Sequence, residues 1–212
     1  MKAFTLLFSL PFISGFPLGA KDELWPGWLG PERNGRVEWF KPPAEWPDKL
    51  RPKWKVKVGS GYGTPIVAEG KILVHSRQGD KEIVRALETD SGKSLWHKAS
   101  PVSFKIGGGG ERHGKGPKAN PFYSEGRLFT TSISGMLSAW DADSGKLLWR
   151  KVPGRRFGQS HAHWGASNSP LVLGDRIVNL FGNEEAGALM GLDVASGERI
   201  WSTGNDGTCY SS

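Results

Sequence analysis

An eleven-residue stretch that returns three times constrains this chain more than any other feature. Ala86-Leu87-Glu88-Thr89-Asp90-Ser91-Gly92-Lys93-Ser94-Leu95-Trp96 recurs as Ala139-Trp140-Asp141-Ala142-Asp143-Ser144-Gly145-Lys146-Leu147-Leu148-Trp149, then as Gly191-Leu192-Asp193-Val194-Ala195-Ser196-Gly197-Glu198-Arg199-Ile200-Trp201. The Trp-to-Trp spacings are 53 and 52 residues. A fixed period of this length means that each unit builds the same supersecondary piece and buries its apolar faces on its neighbours. Ahead of each copy stands an apolar stretch, a turn and another apolar stretch: residues 65–68, Glu69-Gly70 and 71–74; residues 121–123, Glu125-Gly126 and 127–131; residues 170–173, Gly174-Asp175 and 176–180. Each repeat therefore predicts four short strands.

The residue types explain the turns. An Asp or Glu that opens the motif accepts backbone N–H bonds, the Gly of Ser-Gly supplies a positive φ, and the chain resumes an extended strand that ends in a large apolar Trp. Four antiparallel strands per unit, repeated at about 50 residues, fit the blade of a β-propeller, an all-β fold whose small sheets pack face to face around a channel. A β-sandwich satisfies the strand spacing as well, but it does not call for three copies of one motif.

The pattern Ala-x-Asp-x-x-x-Gly-Lys-x-x-Trp resembles the tryptophan-docking motif of the pyrroloquinoline quinone (PQQ) repeat. That repeat occurs in quinoprotein alcohol dehydrogenases and in non-enzymatic relatives such as the outer-membrane assembly factor B lipoprotein. The second copy matches throughout; Glu88 replaces Asp in the first, and Gly191 and Glu198 replace Ala and Lys in the third. The resemblance covers residue 51 to the end. It implies structural docking roles for Trp96, Trp149 and Trp201 and for the motif glycines Gly92, Gly145 and Gly197. Trp54, in Pro52-Lys53-Trp54-Lys55-Val56-Lys57-Val58, takes the docking position of a last strand that has no blade of its own, and in the family such a strand closes the ring. Tyr210-Ser211-Ser212 parallels Tyr62-Gly63-Thr64 and reads as the start of a fourth unit. A closed ring needs roughly 350–450 residues, so residues 51–212 are expected to be a partial propeller of about three blades.

Residues 1–20 read as a secretory signal, with Lys2, a mostly apolar stretch to Phe16 and small residues ending at Ala20. The apolar run is too interrupted for a membrane anchor, and no transmembrane span is expected in the mature chain. Residues 21–50 form an N-terminal arm, in which Trp25-Pro26-Gly27-Trp28-Leu29-Gly30-Pro31 resembles the opening of many secreted PQQ-repeat proteins. Rigid Pro and Gly with aromatics predict an arm packed on the ring, and carbohydrate stacking is its functional alternative. A net charge of +7 with a mean hydropathy of −0.41 describes a basic, soluble chain. Lys105, Arg112, Lys115 and Lys118, with Lys146, Arg150, Lys151, Arg155 and Arg156, hold charge that reads as a solvated surface. No nucleic-acid motif accompanies it. The single Cys209 excludes internal disulfides and clustered-cysteine metal sites.

Antiparallel order places the connectors between blades at one end of the channel. Candidate ligand-binding residues are therefore His113 and Lys115 on the first connector and Arg155, Arg156, His161, His163 and Trp164 on the second. His161-Ala162-His163 in extended backbone points two imidazoles the same way, as a metal or proton-transfer site requires; the alternative is loop histidines bonded to backbone or water, since no carboxylate stands beside them. No metal site is assigned. Gly109-Gly110-Glu111-Arg112-His113-Gly114-Lys115 has phosphate-loop spacing, but Gly116 replaces the needed Ser or Thr, and Pro117 and a strand follow instead of a helix. Glu88, Asp141 and Asp193 recur at a hairpin turn and read as structural, and no catalytic residue is identified.

These readings favour an exported scaffold, periplasmic or secreted, presenting a surface to an envelope protein or a glycan. The alternative is a quinoprotein dehydrogenase, for which the resemblance implies PQQ, calcium held by Glu and Asn, a catalytic Asp and a Cys pair, all to be sought beyond this sequence. A third reading is the sensor or stalk region of a larger envelope protein.

Overall fold

A computed structural model describes residues 24–37, 39–152, 161–208 and 210. The expected signal, Arg155, Arg156, Cys209, Ser211 and Ser212 lie outside the described residues. Within them the chain forms three four-stranded antiparallel sheets. The first holds β1 (Ile66–Ala68), β2 (Lys71–Gln78), β3 (Lys81–Glu88) and β4 (Ser94–Pro101). The second holds β5 (Phe122–Ser124), β6 (Arg127–Thr131), β7 (Leu137–Asp141) and β8 (Leu147–Lys151). The third holds β9 (Leu171–Leu173), β10 (Arg176–Gly182), β11 (Gly187–Asp193) and β12 (Arg199–Thr203). Strands follow chain order across each sheet, and β5 lies against both β1 and β9. The sheets are thus blades of a propeller fanning out from β1, β5 and β9, which face the axis. One short 3-10 turn, Glu111–His113, interrupts the first connector, and no helix among the described residues is long and apolar enough to cross a membrane.

The third and fourth strands of every blade meet through the same device. Asp141 Oδ1 accepts Ser144 N at 2.8 Å and Ser144 Oγ at 2.6 Å, and Asp193 does the same for Ser196 at 2.8 and 2.7 Å. In the first blade the Ser91 hydroxyl donates to Glu88. The motif glycines close the turns at φ of 70°, 68° and 71° for Gly92, Gly145 and Gly197. A β-bulge precedes each turn, at Ala86/Leu87, Ala139/Trp140 and Gly191/Leu192.

Those glycines serve the neighbouring blade as well. The Trp96 ring lies on Gly145 and the Trp149 ring on Gly197, where a Cβ would stand 2.6 and 2.7 Å from the indole. Trp96 Nε1 donates to Ala142 O at 3.0 Å, and Trp149 Nε1 to Val194 O at 2.9 Å. Trp54 lies on Gly92 in the same way and donates to Thr89 O at 2.9 Å, although residues 51–58 join no sheet. Trp201 differs: its ring folds back onto Gly191 in its own sheet, into the space that the alanine of the other two motifs would fill. The departure from the repeat at Gly191 thus has a steric counterpart.

Two apolar clusters complete the blade interfaces. Ile66, Leu73, Val84, Tyr123, Leu128 and Trp140 fill the first, and Phe129, Leu137, Ile177, Phe181, Met190 and Leu192 the second. The docking geometry predicts that Trp149→Ala will destabilise the chain by about 3–5 kcal/mol, read as a lower urea midpoint. Trp201→Ala, which removes contacts within one sheet, should cost about 1–2 kcal/mol. Equal losses would place the stabilisation elsewhere than between blades.

Candidate functional site

The first connector leaves β4 over a buried apolar base. Val102 and Phe104 pack with Ile133, the last at the turn between β6 and β7. Above this base the connectors touch. Gly107 N donates to His163 O at 3.1 Å, and the His163 ring occupies the space of a side chain at Gly107. Trp164 Nε1 donates to Gly108 O at 3.4 Å.

His161 and His163 do not present their rings together. Ala162 O accepts Gly165 N at 2.8 Å, closing a turn where extended backbone was expected. That turn sends the His161 ring onto Phe104, 4.8 Å between centroids, and the His163 ring onto Gly107. His113 lies apart from both. Arg112 Nε donates to His113 Nε2 at 3.2 Å, which places the ring proton on Nδ1, 3.3 Å from the Tyr62 hydroxyl oxygen. Lys118 Nζ stands 4.7 Å from the centre of the same Tyr62 ring, and desolvation lowers its pKa. Lys115 contributes its carbonyl, which accepts from Arg77 NH1 at 3.4 Å. The predicted site residues that are described thus form two groups, one around Tyr62 and one around Trp164. Among the described residues no three His, Cys, Asp or Glu side chains converge on a metal-sized space.

The Trp164 group includes two residues that the sequence did not mark as site residues. Tyr210 OH donates to Glu184 Oε1 at 2.7 Å and accepts from Trp164 N at 3.0 Å, while His163 N donates to the same carboxylate. The Trp164 and Tyr210 rings lie 5.3 Å apart at 31°, and they are 43% and 40% exposed. Burial, followed by the bond to Glu184, pushes the Tyr210 phenol up to about 12. Desolvation is the largest influence on Glu184 and works upward, yet the bonds from Tyr210 and His163 hold its carboxyl below the usual range. Tyr210 was legible only as the start of another repeat, and Glu184 follows from strand order, since the turn between β10 and β11 opens on the connector face.

A second polar group lies buried between the first two blades. His75 Nε2 donates to Glu82 Oε2 at 3.0 Å, and Glu82 Oε1 accepts Ile133 N from the next blade at 3.0 Å. Arg150 reaches in from β8, bonded to Ser138 and Ser100 at 3.0 and 3.2 Å. Its pKa is lowered by desolvation, against the opposing charge of Glu82. His75 Nδ1 faces no protein partner, beside a cavity of about 10 Å³ that suits one water molecule. No sequence motif marks these residues.

A family model described as outer membrane protein assembly factor BamB matches residues 80–210. The outer membrane protein assembly factor BamB of Shewanella oneidensis is 27% identical over 154 residues, covering 70% of this chain and 35% of that protein. The polyvinylalcohol dehydrogenase of a Sphingopyxis species is 29% identical over 203 residues, covering 87% of this chain and 28% of that protein. The chain therefore spans about a third of the length of these curated relatives. A solved europium-containing methanol dehydrogenase superposes with a TM-score of 0.52 at 22% identity, over 68% of this chain and 25% of that one, a likeness of fold.

Two outcomes follow from this geometry. Glu82→Ala leaves the His75 and Ile133 donors buried without their acceptor and should cost about 3–5 kcal/mol in urea unfolding, whereas Glu82→Gln keeps an oxygen for Ile133 N and should cost less. Tyr210 is favoured neutral by folding, so its contribution to stability is present below pH ~10 and lost as pH rises through about 12. In a phenolate absorbance titration Glu184→Gln should lower one tyrosine part of the way from about 12, burial keeping the rest of the shift; an unchanged curve would separate Tyr210 from Glu184.

Proposed function

Because the chain belongs to the PQQ-repeat family whose model is described as outer membrane protein assembly factor BamB, we propose that it is an exported binding or assembly scaffold of the cell envelope. The observation that carries this reading is the fastened aromatic pair on the connector face. Trp164 and Tyr210 are exposed, yet each is held from beneath, Tyr210 by Glu184 and Trp164 by Gly108 and the Tyr210 hydroxyl. Aromatic rings already fixed in place lose little freedom when a partner covers them, and such rings dominate the energetics of recognition surfaces. Export rests on the leader-like residues 1–20 and on the outer-membrane role in the relative's name.

The likeness to a polyvinylalcohol dehydrogenase across 87% of the chain favours a second reading, a quinoprotein dehydrogenase. PQQ with calcium would require several oxygen ligands brought to one place. The described residues do not fit that requirement, since no three of their acidic or imidazole side chains come together.

The two readings separate in two assays on the full chain. The immobilised protein should retain the same envelope protein or glycan in replicate pull-downs, and the double variant Trp164→Ala, Tyr210→Ala should retain at least tenfold less with an unchanged melting curve. Equal recovery would remove the connector face as the site. Reduction of an artificial dye by alcohols, dependent on added PQQ and calcium, would establish the dehydrogenase instead.

A further inference from the structure

The N-terminal arm occupies the innermost edge of the blades. Trp25 N donates to Val67 O at 2.8 Å and Val67 N to Trp25 O at 3.0 Å, a complete antiparallel pair on the axis-facing edge of β1. One residue on, Pro26 O accepts Tyr123 N of β5 at 2.7 Å. Val67 and Tyr123 are equivalent positions of the first and second blades, so the arm spans two sheets and satisfies backbone groups on both. Leu24 packs on the apolar cluster between those blades.

Each arm position imposes a requirement. Position 24 must be apolar to cover the cluster. Position 25 gives both its N–H and its carbonyl to Val67. Position 26 uses only its carbonyl, so proline, which lacks an N–H, fits without losing a bond and holds the backbone extended. Position 27 must be glycine, because a Cβ there would stand 2.5 Å from the Phe122 ring. Beyond it, the Trp25 ring turns back onto Gly30. Residues 40–53, which lead from the arm to the docked Trp54, are exposed throughout and form no strand or helix.

We propose that the axis-facing groove of β1 and β5 is a peptide-binding site for extended segments of the pattern apolar-x-Pro-Gly. The chain's own Leu24-Trp25-Pro26-Gly27 is its displaceable occupant. Strand addition to a free sheet edge supplies affinity through main-chain bonds, and the side-chain requirements on either side supply selectivity. The partner is a protein carrying such a segment, and the exposed tether lets the arm leave without disturbing a blade. This site is separate from the connector face and stands whether or not that face binds anything.

The test uses the full-length variant Gly27→Val, whose new side chain meets Phe122 while the blade residues stay as they are. Amide hydrogen exchange at Val67 and Tyr123 should quicken at least tenfold, with Phe129 and Leu137 still protected. A synthetic peptide of residues 22–35 should bind this variant, measured by fluorescence anisotropy, and restore protection at both amides. The same peptide carrying valine in place of glycine at the position of Gly27 should do neither, and the wild-type chain, its groove filled, should bind the peptide at least tenfold more weakly. Unchanged exchange in the variant would overturn the arm's placement. Fast exchange that a millimolar excess of peptide does not reverse would overturn the peptide site. Should Phe129 and Leu137 lose protection as well, Leu24→Ser, which removes the arm's apolar hold on the cluster and leaves the residues of β1 and β5 as they are, is read by the same two measures.

Discussion

The structure depends on one contact, an indole laid flat on a glycine of the next sheet. Its N–H reaches a carbonyl three residues before that glycine: Thr89 for Trp54, Ala142 for Trp96 and Val194 for Trp149. The contact joins two levels of organisation. The glycine is needed within its own blade, because a positive φ closes the turn, and it is needed between blades, because the ring leaves no room for a Cβ. A substitution there therefore strains a hairpin and separates two sheets together. Since the same atoms repeat at each interface, the spacing of blades is fixed at their turns, and the apolar clusters fill in behind.

The interfaces are not equivalent above that level. Between the second and third blades the filling is apolar, with Phe181 and Met190 closing it. Between the first and second, His75 and Glu82 lie buried, and Arg150 half-buried, beside the apolar cluster, and a carboxylate of one blade accepts a backbone N–H of the other. Buried polar contacts of this kind add less net stabilisation than apolar packing, but they are directional. Glu82 holds the β6–β7 turn in place through Ile133 N, and Ile133 is part of the base on which the first connector rests. The polar seam thus bears on the geometry of the connector face.

Much of the fold was legible because its determinants are local. Asp-x-x-x-Gly turns announce themselves, and the Trp that follows each one sits at a constant distance, so strand number, order and blade boundaries could be read from residues 65–203 alone. The connector face was less legible because it depends on contacts distant in sequence. The His161-x-His163 spacing predicts parallel rings only in extended backbone, and the Ala162 to Gly165 turn sends them to Phe104 and Gly107. Glu184 and Tyr210 come from a hairpin tip and the far end of the chain, and nothing beside either residue announces their bond. His75 and Glu82 occupy strand positions where the pattern predicts ordinary packing. Only the complementary group across the sheet gives them meaning.

The arm shows how a repeat fold acquires features that its repeat does not encode. Each sheet ends on its first strand, whose outer side has no partner strand within the blade, and in a radial arrangement those edges line the axis. No residue of the eleven-residue motif can reach them, since the motif lies at the outer strands. Pairing at the axis must come from a segment outside the repeats, and it can carry few side chains where sheets converge. Pro26 and Gly27 meet both limits: one offers a carbonyl without demanding an acceptor for an N–H, and the other lies flat against Phe122. The indole contacts fix the blades at their turns, and the arm joins the first two at the axis. The same chain therefore grips its blades at both ends of their radius, by side chain on the outside and by main chain within.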